Sequence, residues 1–97
     1  MADFTIQKEL SGRGGGRFVI RLEGDEAELT FTTRAPDLVS ADHTGVPHRF
    51  RGTGAGKALV EALVADAAAN GYRILPLCSF VEALRRRHPD WADHFSA

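Results

Sequence analysis

The segment Arg51-Gly52-Thr53-Gly54-Ala55-Gly56-Lys57 concentrates the residues best suited to hold a ligand. Its glycines let the backbone approach a bound group closely and turn several N–H donors toward it. The segment also opens an apolar-periodic helix, so those donors meet the positive end of a helix dipole. A phosphate or pyrophosphate is the natural guest. Two common phosphate loops do not match. A Walker A loop needs Gly-x-x-x-x-Gly-Lys-Ser/Thr, and here Arg51 and Ala58 stand at the first and last positions. A dinucleotide fingerprint needs Gly-x-Gly-x-x-Gly, and Lys57 takes the third glycine position after Gly52 and Gly54.

The letters fit Arg/Gln-x-x-Gly-x-Gly/Ala instead, as Arg51-x-x-Gly54-x-Gly56. His43-Thr44-x-Val46-Pro47 stands upstream. Pro76-Leu77-Cys78 and then Arg87-His88-Pro89 stand downstream. Together these resemble the small single-domain group of the GCN5-related N-acetyltransferase (GNAT) superfamily, over roughly residues 15 to 95. The resemblance implies acetyl-CoA (coenzyme A) as cofactor and an amine as acceptor, either a protein side chain or a small amine. It implies that the fourth and fifth strands splay apart and that the pantetheine arm lies in the gap. The pyrophosphate would rest on the amides of Gly52, Thr53, Gly54, Ala55 and Gly56, bracketed by Arg51 and Lys57. Val46 and Cys78 would complete the cofactor contacts, with the thioester near Cys78.

Acetyl transfer to an amine needs a neutral nitrogen, a donor for the developing oxyanion and an exit for the thiolate. A lysine-type amine, with a pKa near ~10.4, is mostly protonated at neutral pH. His43 is the first candidate for general base, since an imidazole suits proton transfer at neutral pH. The competing reading makes it a hydrogen-bonded structural residue. Many relatives carry an acid after the His-Thr pair, where this chain has Gly45. Cys78 is the second candidate, as an acetyl-accepting nucleophile or as the acid for the leaving thiolate. A small buried apolar residue is its competing reading. The general-acid tyrosine common after the fifth strand of such enzymes has no counterpart, because Phe80 and Leu84 stand there and Tyr72 opens the strand. Arg85-Arg86-Arg87 is either a contact for the 3′-phosphate or a solvated helix end favoured by the dipole. His48, His88 and His94 have no metal-site spacing, and a metal is not expected.

The elements that must position these residues follow from periodicity. Phe4–Leu10, Arg17–Glu23, Glu26–Thr33 and Leu38–Thr44 read as strands, with turns at Ser11–Gly16, Gly24-Asp25 and Ala35–Asp37. From Gly54 to Asn70 the period becomes helical. Leu59, Val60, Leu63, Val64 and Ala67 share one face, Lys57 and Glu61 form an i,i+4 pair, and Gly71 supplies the stop. Tyr72–Cys78 reads as a short strand whose Pro76 suits an edge or a splayed end. Phe80–Arg87 and Trp91–Phe95 read as helical, with Trp91 and Phe95 pinning the last turn to the core. The fold class is α+β: an antiparallel meander followed by a parallel βαβ unit, in the order β-β-β-β-α-β-α.

Length and composition set the limits. Ninety-seven residues make a single domain spanning residues 1–97, and 43% hydrophobic with 26% charged residues excludes a wholly disordered chain. Twelve basic residues against thirteen acidic ones argue against a nucleic-acid partner. Ten of the twelve are Arg, which binds phosphate and carboxylate bidentately. One cysteine forms no internal disulfide, and no apolar run suits a leader or a membrane span. A soluble cytoplasmic protein is therefore expected. The rivals to an N-acetyltransferase are a non-catalytic acyl-CoA-binding module and a small protein-interaction domain. Gly45, and the short link where larger relatives carry acceptor-binding helices, favour the former.

Overall fold

The alternation between Arg17 and Glu28 builds the first long hairpin. In the computed structural model, which describes residues 4–96, β2 (Gly15–Leu22) and β3 (Asp25–Ala35) pair antiparallel with Leu22 opposite Asp25. Glu23 and Gly24 between them have φ of 52° and 88°. Positive φ at both positions is the mark of a type I′ turn, which suits the strand twist. The turn thus falls one residue before the expected Gly24-Asp25.

β1 (Gln7–Leu10) adds to the outer edge of β2. The strand expected from Phe4 is shorter, and Phe4 and Ile6 pack against the core without joining the ladder. Gly15 and Gly16, expected in the turn, are strand residues. A Cβ on Gly16 would collide with the Glu9 carbonyl oxygen and stand 2.9 Å from Phe31 Cζ. Glycine is what lets the two strands close there.

β4 (Leu38–Gly45) returns antiparallel to β3, α1 (Ala55–Asn70) crosses over, and β5 (Arg73–Pro76) lies parallel to β4. The five strands form one sheet in the order β1-β2-β3-β4-β5, followed by α2 (Ser79–Arg87) and a 3-10 helix over Pro89–His94. The expected α+β order and the parallel β4–β5 pair are both present. The last turn differs from expectation. Phe95 leaves it, bridges Ile74 and is buried. Trp91 packs partly buried against the core and stacks on His88 at 4.1 Å. A 3-10 helix over His48–Phe50, which carries no periodic signal, sets Phe50 in the core.

Leu59, Val60, Leu63, Val64 and Ala67 of α1 are buried, and the core they join includes Phe18 and Ile20 of β2 and Ala27, Leu29 and Phe31 of β3. The helix ends on Gly71 at φ 72°, whose amide donates to the Ala67 carbonyl. Lys57 and Glu61 do not form the expected ion pair among the described residues.

The other face of the sheet carries a lattice of charge. Arg17 binds Glu9, Glu26 and Glu28, and Arg21 binds Glu9, Glu26 and Gln7. Val19 lies beneath it with no exposed surface. Hydrogen bonds from Arg21, and then Arg17, hold the carboxyls of Glu9 and Glu26 below the usual range. Their contribution to stability is therefore intact above the ordinary glutamate pKa of about 4.3 and is lost as pH falls through the lower folded values. Thermal melts from pH 7 to pH 3 will show this loss. The acid limb will be shallower in Arg21→Gln, and an unchanged limb would remove the lattice from the account.

One irregularity bears on function. The β3–β4 register shifts between Thr30 and Phe31, which pair with His43 and Ala41 respectively. Asp42 is the extra residue of a β-bulge, a feature common beside active sites. Its carboxylate accepts hydrogen bonds from Thr32 Oγ1 and from Ser40 Oγ at 2.6 Å.

Candidate functional site

The glycine loop is built from the backbone outward. Gly52 and Gly54 have φ of 77° and 83°, a conformation that favours glycine. Gly54 caps α1, and its carbonyl accepts the Ala58 amide at 2.9 Å. Thr53 closes the turn, donating from Oγ1 to the Phe50 carbonyl and accepting the Ala55 amide at 3.3 Å. The amides of Gly52, Gly54, Gly56 and Lys57 find no acceptor among the described residues. These four unpaired donors lie at the start of α1 and in the loop just before it, with Gly56 itself buried. Arg51 and Lys57 make no ion pair among the described residues, whereas Arg17, Arg21, Arg34, Arg49, Arg85 and Arg86 all do. The cations bracketing the loop are available for an anion.

The sheet opens beside this loop. β5 pairs with β4 only over Leu38–Ala41, and the last link is the Cys78 amide donating to the Ala41 carbonyl at 2.9 Å. From Asp42 to Gly45, β4 has no partner on the β5 side. Pro76 ends β5 at that point, as its missing donor requires. Cys78 then occupies the N-cap position of α2 and is largely buried. Its Sγ lies 3.3 Å from Thr44 Oγ1, so strand β4 and helix α2 meet through this pair. Val46 and Phe80 frame the other side of the opening. A Cβ on Gly56 would stand 2.7 Å from Phe80 Cζ and 3.5 Å from Val46 Cγ2.

The bulge separates the two catalytic candidates. Cross-strand partners share a face. Thr44 pairs with Leu29, a core residue, and so faces the helices and Cys78. His43 pairs with Thr30, which pairs in turn with Arg17, so it lies exposed on the charged face. His43 and Cys78 flank the open end of β4 from opposite sides. The imidazole lies near Gly45, whose Cβ would stand 3.5 Å from His43 Nε2 and 3.8 Å from Glu28 Cγ. Thr44, Phe80 as a wall over Gly56, and Glu28 were not legible as site residues, since only strand register and helix docking bring them there.

The remaining candidates sit elsewhere. Arg85 and Arg86 both bind Glu82 at 2.7 Å, which partly neutralises the basic helix end and favours the solvated reading. The Tyr72 hydroxyl donates to Asp66 at 2.7 Å at the far end of β5. Burial, and then the Asp66 bond, push its pKa upward. Among the described residues no group of three or more His, Cys, Asp or Glu is placed to hold a metal, and no helix is long and apolar enough to cross a membrane.

Residues 17–94 match the family model described as GCN5-related N-acetyl-transferase. The chain belongs to this family. A solution NMR structure of a GCN5-like protein from Staphylococcus aureus has a similar fold, with a TM-score of 0.73 and 27% identity, over all of this chain and 92% of that one. No protein of curated function matches. The unpaired end of β4 and the glycine loop that opens α1 lie at the same end of the sheet.

Proposed function

We propose that this GNAT chain is an N-acetyltransferase of minimal type, which takes an acetyl group from acetyl-CoA and gives it to an amine. One observation carries the reading: unpaired amides at Gly52, Gly54, Gly56 and Lys57 adjoin the unpaired end of β4. The residues present fit the cofactor, since the amides with Arg51 and Lys57 supply donors and charge for a pyrophosphate. Gly56 lets the Phe80 ring pack directly on the loop, where a Cβ would stand 2.7 Å from Phe80 Cζ. Val46, Thr53, Ala55 and Cys78 complete the proposed cofactor contacts. Bound acetyl-CoA would supply an activated acyl group. His43 would accept the proton that an attacking amine must lose, and Cys78, coupled to Thr44, would return one to the departing sulfur. The short β1–β2 link, Ser11–Gly14, favours an alternative acyl-CoA-binding module without turnover.

Calorimetric titration with acetyl-CoA, free CoA and ADP tests the binding half. Saturable binding of all three is expected, because they share the pyrophosphate. Silence from all three would overturn the reading. Turnover on an amine panel then separates an enzyme from a binding module. Within the enzyme reading, His43→Ala and Cys78→Ser will each lower kcat/KM by about tenfold or more if they move protons. Unchanged values in both would return them to structural roles.

A further inference from the structure

Gly45 is a glycine that its backbone does not require. Its φ is outside the positive range, and a Cβ there would make only ordinary contacts. What glycine provides at this position is space. The space opens into a notch of about 390 Å³ lined by Arg17, Glu26, Glu28, Gly45, Val46 and Pro47. His43 Nε2 stands at its rim, 3.5 Å from the position of the missing Cβ. In the lattice that borders it, Glu9, Glu26 and Glu28 stand against Arg17 and Arg21, and of the three carboxylates Glu28 alone has one ion-pair partner among the described residues. Glu28 is fixed there by Arg17 at 2.8 Å. Arg17 also borders a second groove, of about 530 Å³, which continues along Thr30, Thr32 and Asp42 on the same face.

We propose that this notch is the acceptor subsite and that Glu28 selects an alkylammonium group, the chemistry shared by a polyamine and a lysine side chain. The inference rests on the acetyltransferase reading above. It gives Glu28 the task that an acid at position 45 would otherwise perform. The carboxylate holds the ammonium beside the imidazole, and the second groove accommodates the body of the acceptor. The proton balance closes. The ammonium passes one proton to His43 Nε2, its nitrogen forms the N–C bond as the C–S bond breaks, Cys78 protonates the departing thiolate, and the nitrogen's second proton leaves to solvent, from which Cys78 regains its own. His43 then releases its proton to solvent.

The test uses the whole chain saturated with free CoA, followed by amide and imidazole NMR. Spermidine and N-acetyl-lysine methylamide are the two probes, and 1-pentanol is the uncharged control. Spermidine, the lysine amide or both will shift His43, Gly45 and Glu28 saturably, while 1-pentanol will not. Which probe binds tells a small amine from a protein side chain. Glu28→Gln will weaken that binding about tenfold, as expected for loss of a charge-assisted bond. Gly45→Leu, which fills the notch, will abolish it, and the Gly45→Ala control will fold normally. With an acceptor in hand, Glu28→Gln will raise its KM about tenfold and leave kcat within roughly twofold. No shift from either ammonium probe, or binding that survives both Glu28→Gln and Gly45→Leu, would overturn the assignment. A failed acetyl-CoA titration, by contrast, would sink the cofactor reading itself, so the two failures are distinguishable.

Discussion

Gly56→Val will cost acetyl-CoA binding at least about 100-fold, or roughly 2.7 kcal/mol, while the fold survives. The backbone of Gly56 accepts a side chain, so the cost is spatial. A Cβ would meet Phe80 Cζ at 2.7 Å, closer than real side chains approach, and Cε2 at a tight 3.0 Å. The obstructing atoms are the far end of a ring that is 39% exposed, so Phe80 can swing toward solvent. Valine would then occupy the approach to the unpaired amides of Gly56 and Lys57, the donors proposed for the pyrophosphate. Calorimetry with acetyl-CoA measures the loss, and far-ultraviolet circular dichroism confirms the fold. A variant that binds as the parent does would move the pyrophosphate away from this loop. Pairing Gly56→Ala with Phe80→Leu separates the two effects. If ring displacement alone weakens binding, the double variant will recover most of it.

The second large effect is on stability. Leu63→Ala will destabilise the protein by about 2–5 kcal/mol, the range for emptying a fully buried leucine site. Leu63 has no exposed surface and sits in the core that α1 shares with β2 and β3. A domain of this kind has a total stability of about 5–15 kcal/mol, so the loss is a large fraction of it. Each kcal/mol moves Tm by roughly 4–8 °C in a domain of this size. Thermal melts will place the variant at least about 8 °C below the parent. A smaller shift would mean that the core around α1 collapses readily into the space.

The contrast between these sites explains what was legible in the sequence. Helix α1 was readable because its burial repeats with the helix period, and Leu59, Val60, Leu63, Val64 and Ala67 all fall inside. The glycine loop was readable because Gly54 needs a positive φ and the helix start follows directly. Pro76 marked the end of β5 through its missing donor. What was hidden depends on register. No local spacing ties Glu28 to Gly45, or Phe80 to Gly56, and only the paired strands and the docked helix bring them together. The bulge hid the face of His43. Strict alternation from Val39 and Ala41 would turn His43 toward the helices, whereas the extra Asp42 keeps it on the charged side. The turn at Ser11–Gly16 is shorter than its letters suggest, because glycines look like punctuation. Two of them instead let neighbouring strands touch.

Asp42 also gives β4 an uneven tolerance to changes in length. Up to Ala41 the strand is in phase with the core, and after Asp42 it resumes in phase, with Thr44 inward again. Deleting Asp42 would turn the bulge into a regular ladder and leave both His43 and Thr44 on their present sides. Inserting a residue between His43 and Thr44 would instead reverse everything beyond it, swinging Thr44 away from Cys78. Loop-length variation among relatives is therefore expected to enter this strand at position 42 and to stop short of position 44.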